Sequence, residues 1–174
     1  MSNLRLIQVD DITSTVSTFD ISNVFSADFD VYEMIFSGIT TDTTDQVFSG
    51  RFINSSGVVD TGTNYDYAVH EMKSNTSFGS DKATGQDDMQ SLIGRQGDST
   101  ASMGCVVRIF NPFITTSFTF AQSQFTGMSG TDMRTFKGVF RHNVETTVTG
   151  LQIRNNNNNF TGGKIITYGM RVDT

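Results

Sequence analysis

Short segments in which apolar and polar side chains alternate recur along this sequence, and they constrain its fold more than any other feature. In Asp30-Val31-Tyr32-Glu33-Met34-Ile35-Phe36, an extended chain places Tyr32, Met34 and Phe36 on one face and Val31, Glu33 and Ile35 on the other. Val47 to Ile53 sets Phe48 and Phe52 on one face with Gly50 between them, and Tyr65, Tyr67 and Val69 alternate in a strand running to about Met72. Thr115 to Ser123 carries Phe118 and Phe120 on one face, and Thr135 to Arg141 carries Phe136, Gly138 and Phe140. Ser102 to Phe110 reads as a central strand that must stop at Asn111-Pro112, because proline has no N–H to donate to a ladder. Weaker strand signals cover Leu4 to Val9, Ser14 to Phe19, Gln90 to Ile93, Val144 to Val148 and Leu151 to Arg154, and Lys164 to Val172 is a long closing strand.

The stretches between are built from turn formers. Asn54-Ser55-Ser56-Gly57 is a turn with candidates for positive φ, and Thr40 to Asp45, Gly94 to Asp98 and Gly127 to Thr131 are loops. Ser74 to Asp88 is polar and reads as a long loop, with at most one helical turn near Asp87 to Gln90. Good helix formers are scarce, while 42 of the 174 residues are Ser or Thr and 15 are Phe. The expectation is an all-β chain: one antiparallel β-sandwich, jelly-roll-like, of about 8–10 strands. Residues 1–20 are expected to form an extended N-terminal arm or edge strand, and residues 21–174 the sandwich.

Composition excludes several function classes. A net charge of −6 argues against a phosphate-binding footprint, so no nucleic acid is expected. No apolar run approaches the length of a membrane-spanning helix, and Met1 to Arg5 lacks the apolar core of a signal peptide. The single cysteine, Cys105, cannot build a disulfide framework and reads as a small core residue. His70 and His142 have none of the spacings of a zinc site, and neither is placed as a base for Cys105. Asp10-Asp11 and Asp28/Asp30 resemble paired carboxylates, but a glycosidase without tryptophan lacks its usual sugar platform. No catalytic residue, no metal and no cofactor is expected. Candidate binding residues are in polar loops: Asp81, Asp87 and Asp88 in one, and Asn155, Asn156, Asn157, Asn158 and Asn159 in another. The sequons at Asn54, Asn75 and Asn159 are of the number that chance gives in a chain rich in Ser and Thr.

Several segments carry a resemblance in a consistent order. They are Phe29 to Met34, Val47 to Gly57 with Arg51-Phe52, Tyr65-Asp66-Tyr67, Ile109 to Pro112, Thr149 to Ile153, and the closing Gly162-Gly163-Lys164-Ile165-Ile166-Thr167-Tyr168-Gly169-Met170. From about residue 28 to 172 the chain resembles the small jelly-roll-like β-sandwich virion proteins of tailed phages, many of them from marine cyanophages. The resemblance implies a domain displayed on the virion, and it carries over no catalytic residues. A capsid decoration or cement subunit is the first expectation, and a tail- or fibre-associated module binding a receptor or a host surface glycan is the alternative. The N-terminus shows no coiled coil or long shaft, which favours a small stand-alone subunit. Other virion proteins are the expected partners. A homo-oligomer is expected too, with a trimer favoured and Leu4, Leu6, Ile7 and Val9 as an assembly arm that could add a strand to a neighbour.

Overall fold

The computed structural model describes residues 4–44, 46–75, 78–96 and 101–171, and every helix or strand assigned among them is a strand. The alternation seen in the sequence becomes burial. Tyr32, Met34 and Phe36 of β3 (Val31–Thr41) all point into the core, and so do Phe48 and Phe52 of β4 (Gln46–Asn54). Tyr65, Tyr67 and Val69 of β5 (Tyr65–Lys73) do the same, as do Cys105, Val107 and Ile109 of β8 (Met103–Phe110). Phe136 and Phe140 of β10 (Asp132–His142), and Leu151 and Ile153 of β11 (Val148–Asn155), complete the pattern. Gly50 allows the closest approach: a Cβ there would stand 2.3 Å from Leu92 Cδ2.

The remaining strands are β1 (Leu4–Ile12), β2 (Thr18–Ile21), β6 (Phe78–Gln86), β7 (Arg95–Gln96), β9 (Thr119–Ser129) and β12 (Phe160–Met170). Two sheets result, an eight-stranded one in the order β1-β12-β3-β8-β9-β10-β5-β6 and a four-stranded one in the order β2-β11-β4-β7. All neighbours are antiparallel. Eight strands make a jelly roll. The chain folds back on itself so that β1 pairs β12, β2 pairs β11, β3 pairs β8 and β4 pairs β7. Two hairpins are inserted into that plan, β5–β6 between β4 and β7 and β9–β10 between β8 and β11, and together they extend the larger sheet past β8. Phe48 and Phe160 meet between the two sheets with ring centroids 5.4 Å apart.

The extension is covered differently. Its inner face lies under the segment 87–94, which is fastened to β4 by the amide of Met89 donating to the carbonyl of Gly50 at 2.9 Å and the reverse bond at 3.2 Å. A Cβ on Gly94 would fall 2.2 Å from the Phe125 ring, so this segment lies directly on β9.

Several boundaries differ from the sequence reading. The polar stretch 74–88 holds a full strand, β6, whose side chains are mostly exposed on both faces, so burial leaves no alternation to read. Gln90 to Ile93 is a set of turns, with Ser91 at φ 61, and Leu92 and Ile93 are buried without strand pairing. Val144 lies in a connection, and the weak signals around it belong to the single strand β11. Asn155 to Asn159 is only in part a loop: Asn155 ends β11, and 156–159 cross from the smaller sheet to the larger. β9 begins at Thr119, turns Ala121, Ser123 and Phe125 inward, and leaves Phe120 exposed. Leu4 to Ile12 is an edge strand paired along β12, and β2 already belongs to the smaller sheet. Met1 to Asn3, Asp45, Gly97-Asp98 and Val172 lie outside the described residues.

Candidate interaction face

The inner faces of the two sheets make the core, and no described element covers the outer face of the larger sheet. Antiparallel partners share a face, so the register arranges its outer side chains in rows that cross the strands. One row runs Ile166, Ile35, Val106, Gln124, Lys137, His70, from β12 to β5. The next runs Tyr168, Glu33, Arg108, Gln122, Val139, Ala68. The first row is apolar over β12, β3 and β8 and polar over β9, β10 and β5; the second carries Glu33, Arg108 and Gln122 in its middle, with Tyr168 at one end and Val139 and Ala68 at the other. Arg108 Nε donates to Glu33 Oε2 at 2.8 Å, so this pair leaves little net charge. At the β8 end of β9, Arg141 pairs with Asp66 and lies 5.3 Å from the centre of the Phe118 ring. Desolvation works against the charge on Asp66, but the Gly85 amide and the Arg141 guanidinium outweigh it and hold the carboxyl below its ordinary value.

These rows line a shallow trough of about 1040 Å3 across β3, β8, β9, β10 and β5. Its floor includes Ile35, Val106 and Ala68, and Gln122, Gln124 and Lys137 rise from it. Gln122, Gln124 and Lys137 are exposed, and His70, at the far side, stacks on Phe78 with ring centroids 6.2 Å apart. Sequence reasoning passed over these residues because they are the polar alternates of ordinary strands. Only the cross-strand register brings them together.

The loop residues singled out from the sequence have other work. Asp88 is buried and accepts a bond from Arg154 Nη1 at 2.8 Å; the Ser49 hydroxyl lies 2.8 Å from both Asp88 Oδ2 and Asn156 Oδ1. Asp87 pairs with Arg51, whose Nε also donates to the Asp87 carbonyl at 2.8 Å. Asn159 donates to Asp42 from its side chain at 2.7 Å and its backbone at 3.1 Å, and that contact holds the Asp42 carboxyl below its usual value. Asn155 is buried, and its side-chain amide has no hydrogen-bond partner among the described residues. Asn157 is exposed and Asn158 half-buried. Asp81 lies on the far edge strand, 3.4 Å from the Tyr67 hydroxyl, which donates to Gln90 at 2.6 Å. Burial, with Asp81 adding to it, pushes the Tyr67 phenol up to about 12. The structure thus brings Asp88 and Asn156 together around Ser49, as ties between segment 87–94 and the smaller sheet. Of the arm residues, Leu4, Leu6 and Val9 are exposed, and Ile7 packs against the core.

A second polar cluster lies under the connection from β4 to β5. His142 is buried, stacks on Tyr65 at 5.0 Å between centroids, and has its Nε2 2.7 Å from Asp60 Oδ2. Burial opposes the charge on Asp60, yet His142, Asn64 and the Gly62 amide together lower its carboxyl below the ordinary value. Cys105 is buried, and desolvation pushes its thiol up. Among the described residues, no three His, Cys, Asp or Glu side chains are grouped closely enough to hold a metal ion, and no helix is long and apolar enough to cross a membrane. Comparison of the chain with protein-family models, with curated proteins and with solved structures finds no match.

Proposed function

We propose that this chain is a structural subunit of a phage virion, a capsid decoration or cement protein that works in many copies beside other virion proteins. The observation that carries the reading is the outer face of an eight-stranded sheet, which no other described element covers and which is apolar across β1, β12, β3 and β8 but for the paired charges Glu33–Arg108 and Asp11–Lys164. A face of this breadth in a jelly roll suits packing against a flat neighbour. The order of the resembling segments, from about residue 28 to 172, supplies the virion context. The test is to incubate the purified chain with empty capsids that lack it and to sediment the mixture. Stoichiometric co-sedimentation, reduced by charged substitutions at Ile35 and Val106, is the expected result; a chain left wholly in the supernatant overturns the reading.

The trough favours a second reading, a tail- or fibre-associated module binding a host surface glycan. Amides and a cation above an apolar floor match the hydroxyls and ring faces of a sugar. Under that reading the isolated protein binds glycans on an array, and Gln124→Ala with Lys137→Ala removes the signal.

A further inference from the structure

We propose that β1 is a self-complementary edge through which two copies of this chain join into one continuous sheet about a two-fold axis. Among the described residues β1 ends the larger sheet with β12 as its one strand neighbour, so the outer edge from Arg5 to Asp11 can template a strand.

The register decides the occupant. β1 carries a bulge at Ile7, where its pairing with β12 shifts between Leu6 and Gln8. Partners on β12 then place Leu4, Leu6, Val9 and Asp11 on the outer face, opposite Met170, Tyr168, Ile166 and Lys164. Arg5, Gln8 and Asp10 take the other face. Without the bulge, residues five apart would point opposite ways; with it, Arg5 and Asp10 share a face. In an antiparallel pair of two β1 strands centred on Gln8, with the bulged Ile7 of each left unpaired, Arg5 of each copy stands opposite Asp10 of the other. Leu6 then stands opposite Val9, and each pair is on a common face. Leu6 and Val9 are 53% and 46% exposed in the single chain, so the pairing covers apolar surface that now meets water. Arg5 has no ion-pair partner among the described residues, while Asp10 is held only by Gln8 of its own strand, at 2.8 and 2.9 Å. Both charges are therefore available to a partner. Two opposite-charge pairs and two apolar pairs related by a two-fold axis make an isologous interface.

The other edges lack this property. On β6, Asp81 and Lys82 are adjacent within the regularly paired stretch Tyr67–Val69 to Asp81–Ala83 and face opposite ways, so a two-fold pairing there never sets one against the other. β2 has four residues and β7 two, too few to hold a partner. The proposal needs no virion, and the expected trimer gives way to a two-fold unit.

The test uses the full chain. Sedimentation equilibrium gives twice the chain mass for the wild type. R5D and D10R each weaken association by about tenfold or more, since each turns two attractions into two repulsions. The double variant R5D/D10R restores it. Mild oxidation of Q8C, whose new thiols meet on the axis, gives a crosslinked dimer, and D81C on β6 does not. A chain that is monomeric at every concentration, or a trimer or dimer unmoved by R5D and D10R, overturns the proposal. If R5D loses its β-sheet circular dichroism, the Q8C crosslink decides alone. Capsid binding by a chain that stays monomeric would break this inference and leave the proposed function standing; a β1 dimer that ignores capsids would do the reverse.

Discussion

Over β1, β12, β3 and β8 the larger sheet lies against a second sheet, while over β9, β10 and β5 it lies mainly against a folded loop, with Phe52 of β4 reaching Tyr65 and His142. The two halves are held by different chemistry. In the jelly-roll half the contact is aromatic and aliphatic, with Phe36, Phe48, Met34, Ile39 and Phe160 all buried between the layers. In the extension the loop 87–94 contributes Met89, Leu92 and Ile93, but its position is set by polar ties: Asp88 to Arg154 and Ser49, and Tyr67 to Gln90. The extension even buries an ion pair, Arg134 to Glu71 at 2.7 Å. Sheet-on-sheet packing tolerates little change in volume, whereas a tied loop depends on a few specific hydrogen bonds.

That contrast can be broken by substitution. The largest effect is expected at Phe48, where Phe48→Ala removes a ring shared by both sheets and costs about 3–5 kcal/mol in urea unfolding. A truncation at exposed Val139 on the outer face should stay within about 0.5 kcal/mol. Next is Glu71→Ala, which strips the buried Arg134 guanidinium of its carboxylate and costs about 3 kcal/mol. If the extension is held by charge, Glu71→Ala hurts more than an isosteric Arg134→Met. Asp88→Ala should cost about 1–3 kcal/mol, because Arg154 loses the carboxylate it donates to and Ser49 keeps only Asn156 as acceptor. Hydrogen exchange should then quicken at the Met89 and Gly50 amides while the amides of β3 and β12 stay protected.

The smallest effect is a pH dependence, to which the extension half contributes two groups. Asp60 and Asp66 both have carboxyls lowered by folding. Their stabilisation is complete above the ordinary Asp value of 3.8 and is lost as pH falls through the lowered folded values. Melting curves collected from neutral to acid pH should show the wild type losing its advantage over Asp60→Asn across that window. An advantage that stays constant into acid would show that the His142 contact adds nothing through charge.

Legibility in the sequence follows burial of a strand face and crosses that line. Where one face of a strand is buried, in either half, the alternation is strict. Tyr32-Met34-Phe36, Phe48-Phe52, Tyr65-Tyr67-Val69 and Phe136-Phe140 could all be read directly, and Asn111-Pro112 marked the end of β8. β6 could not be read, because neither of its faces is deeply buried, and neither could the turns at Gln90 to Ile93, whose apolar residues are buried by a loop rather than by a pleat. Phe120 was ambiguous for a related reason: alternation assigns residues to two faces without saying which one is inside, and here Thr119, Ala121 and Ser123 face inward. The trough was invisible because Gln124, Lys137 and His70 come from three strands and meet only through register. The acidic and asparagine-rich loops drew attention by composition, yet Asp88, Asn156 and Asn159 are engaged in the protein's own hydrogen bonds.

The pairing of β1 with β12 places Leu4 beside Met170, partners separated by nearly the whole chain. During synthesis the N-terminal strands emerge first, at about 5–20 residues per second. β1 and β2 must then wait for β12 and β11, the last strands made, before either has a neighbour in its sheet. For that interval of several seconds β1 has no partner strand, and Ile7 and Ile12, which pack on the core in the folded chain, are unprotected on every nascent chain. The hairpins β5–β6 and β9–β10 need no such delay, since each closes on a neighbour in sequence. The insertions that widen the sheet are therefore the parts that can form while translation continues, and the jelly roll closes only once the final strand is free to move.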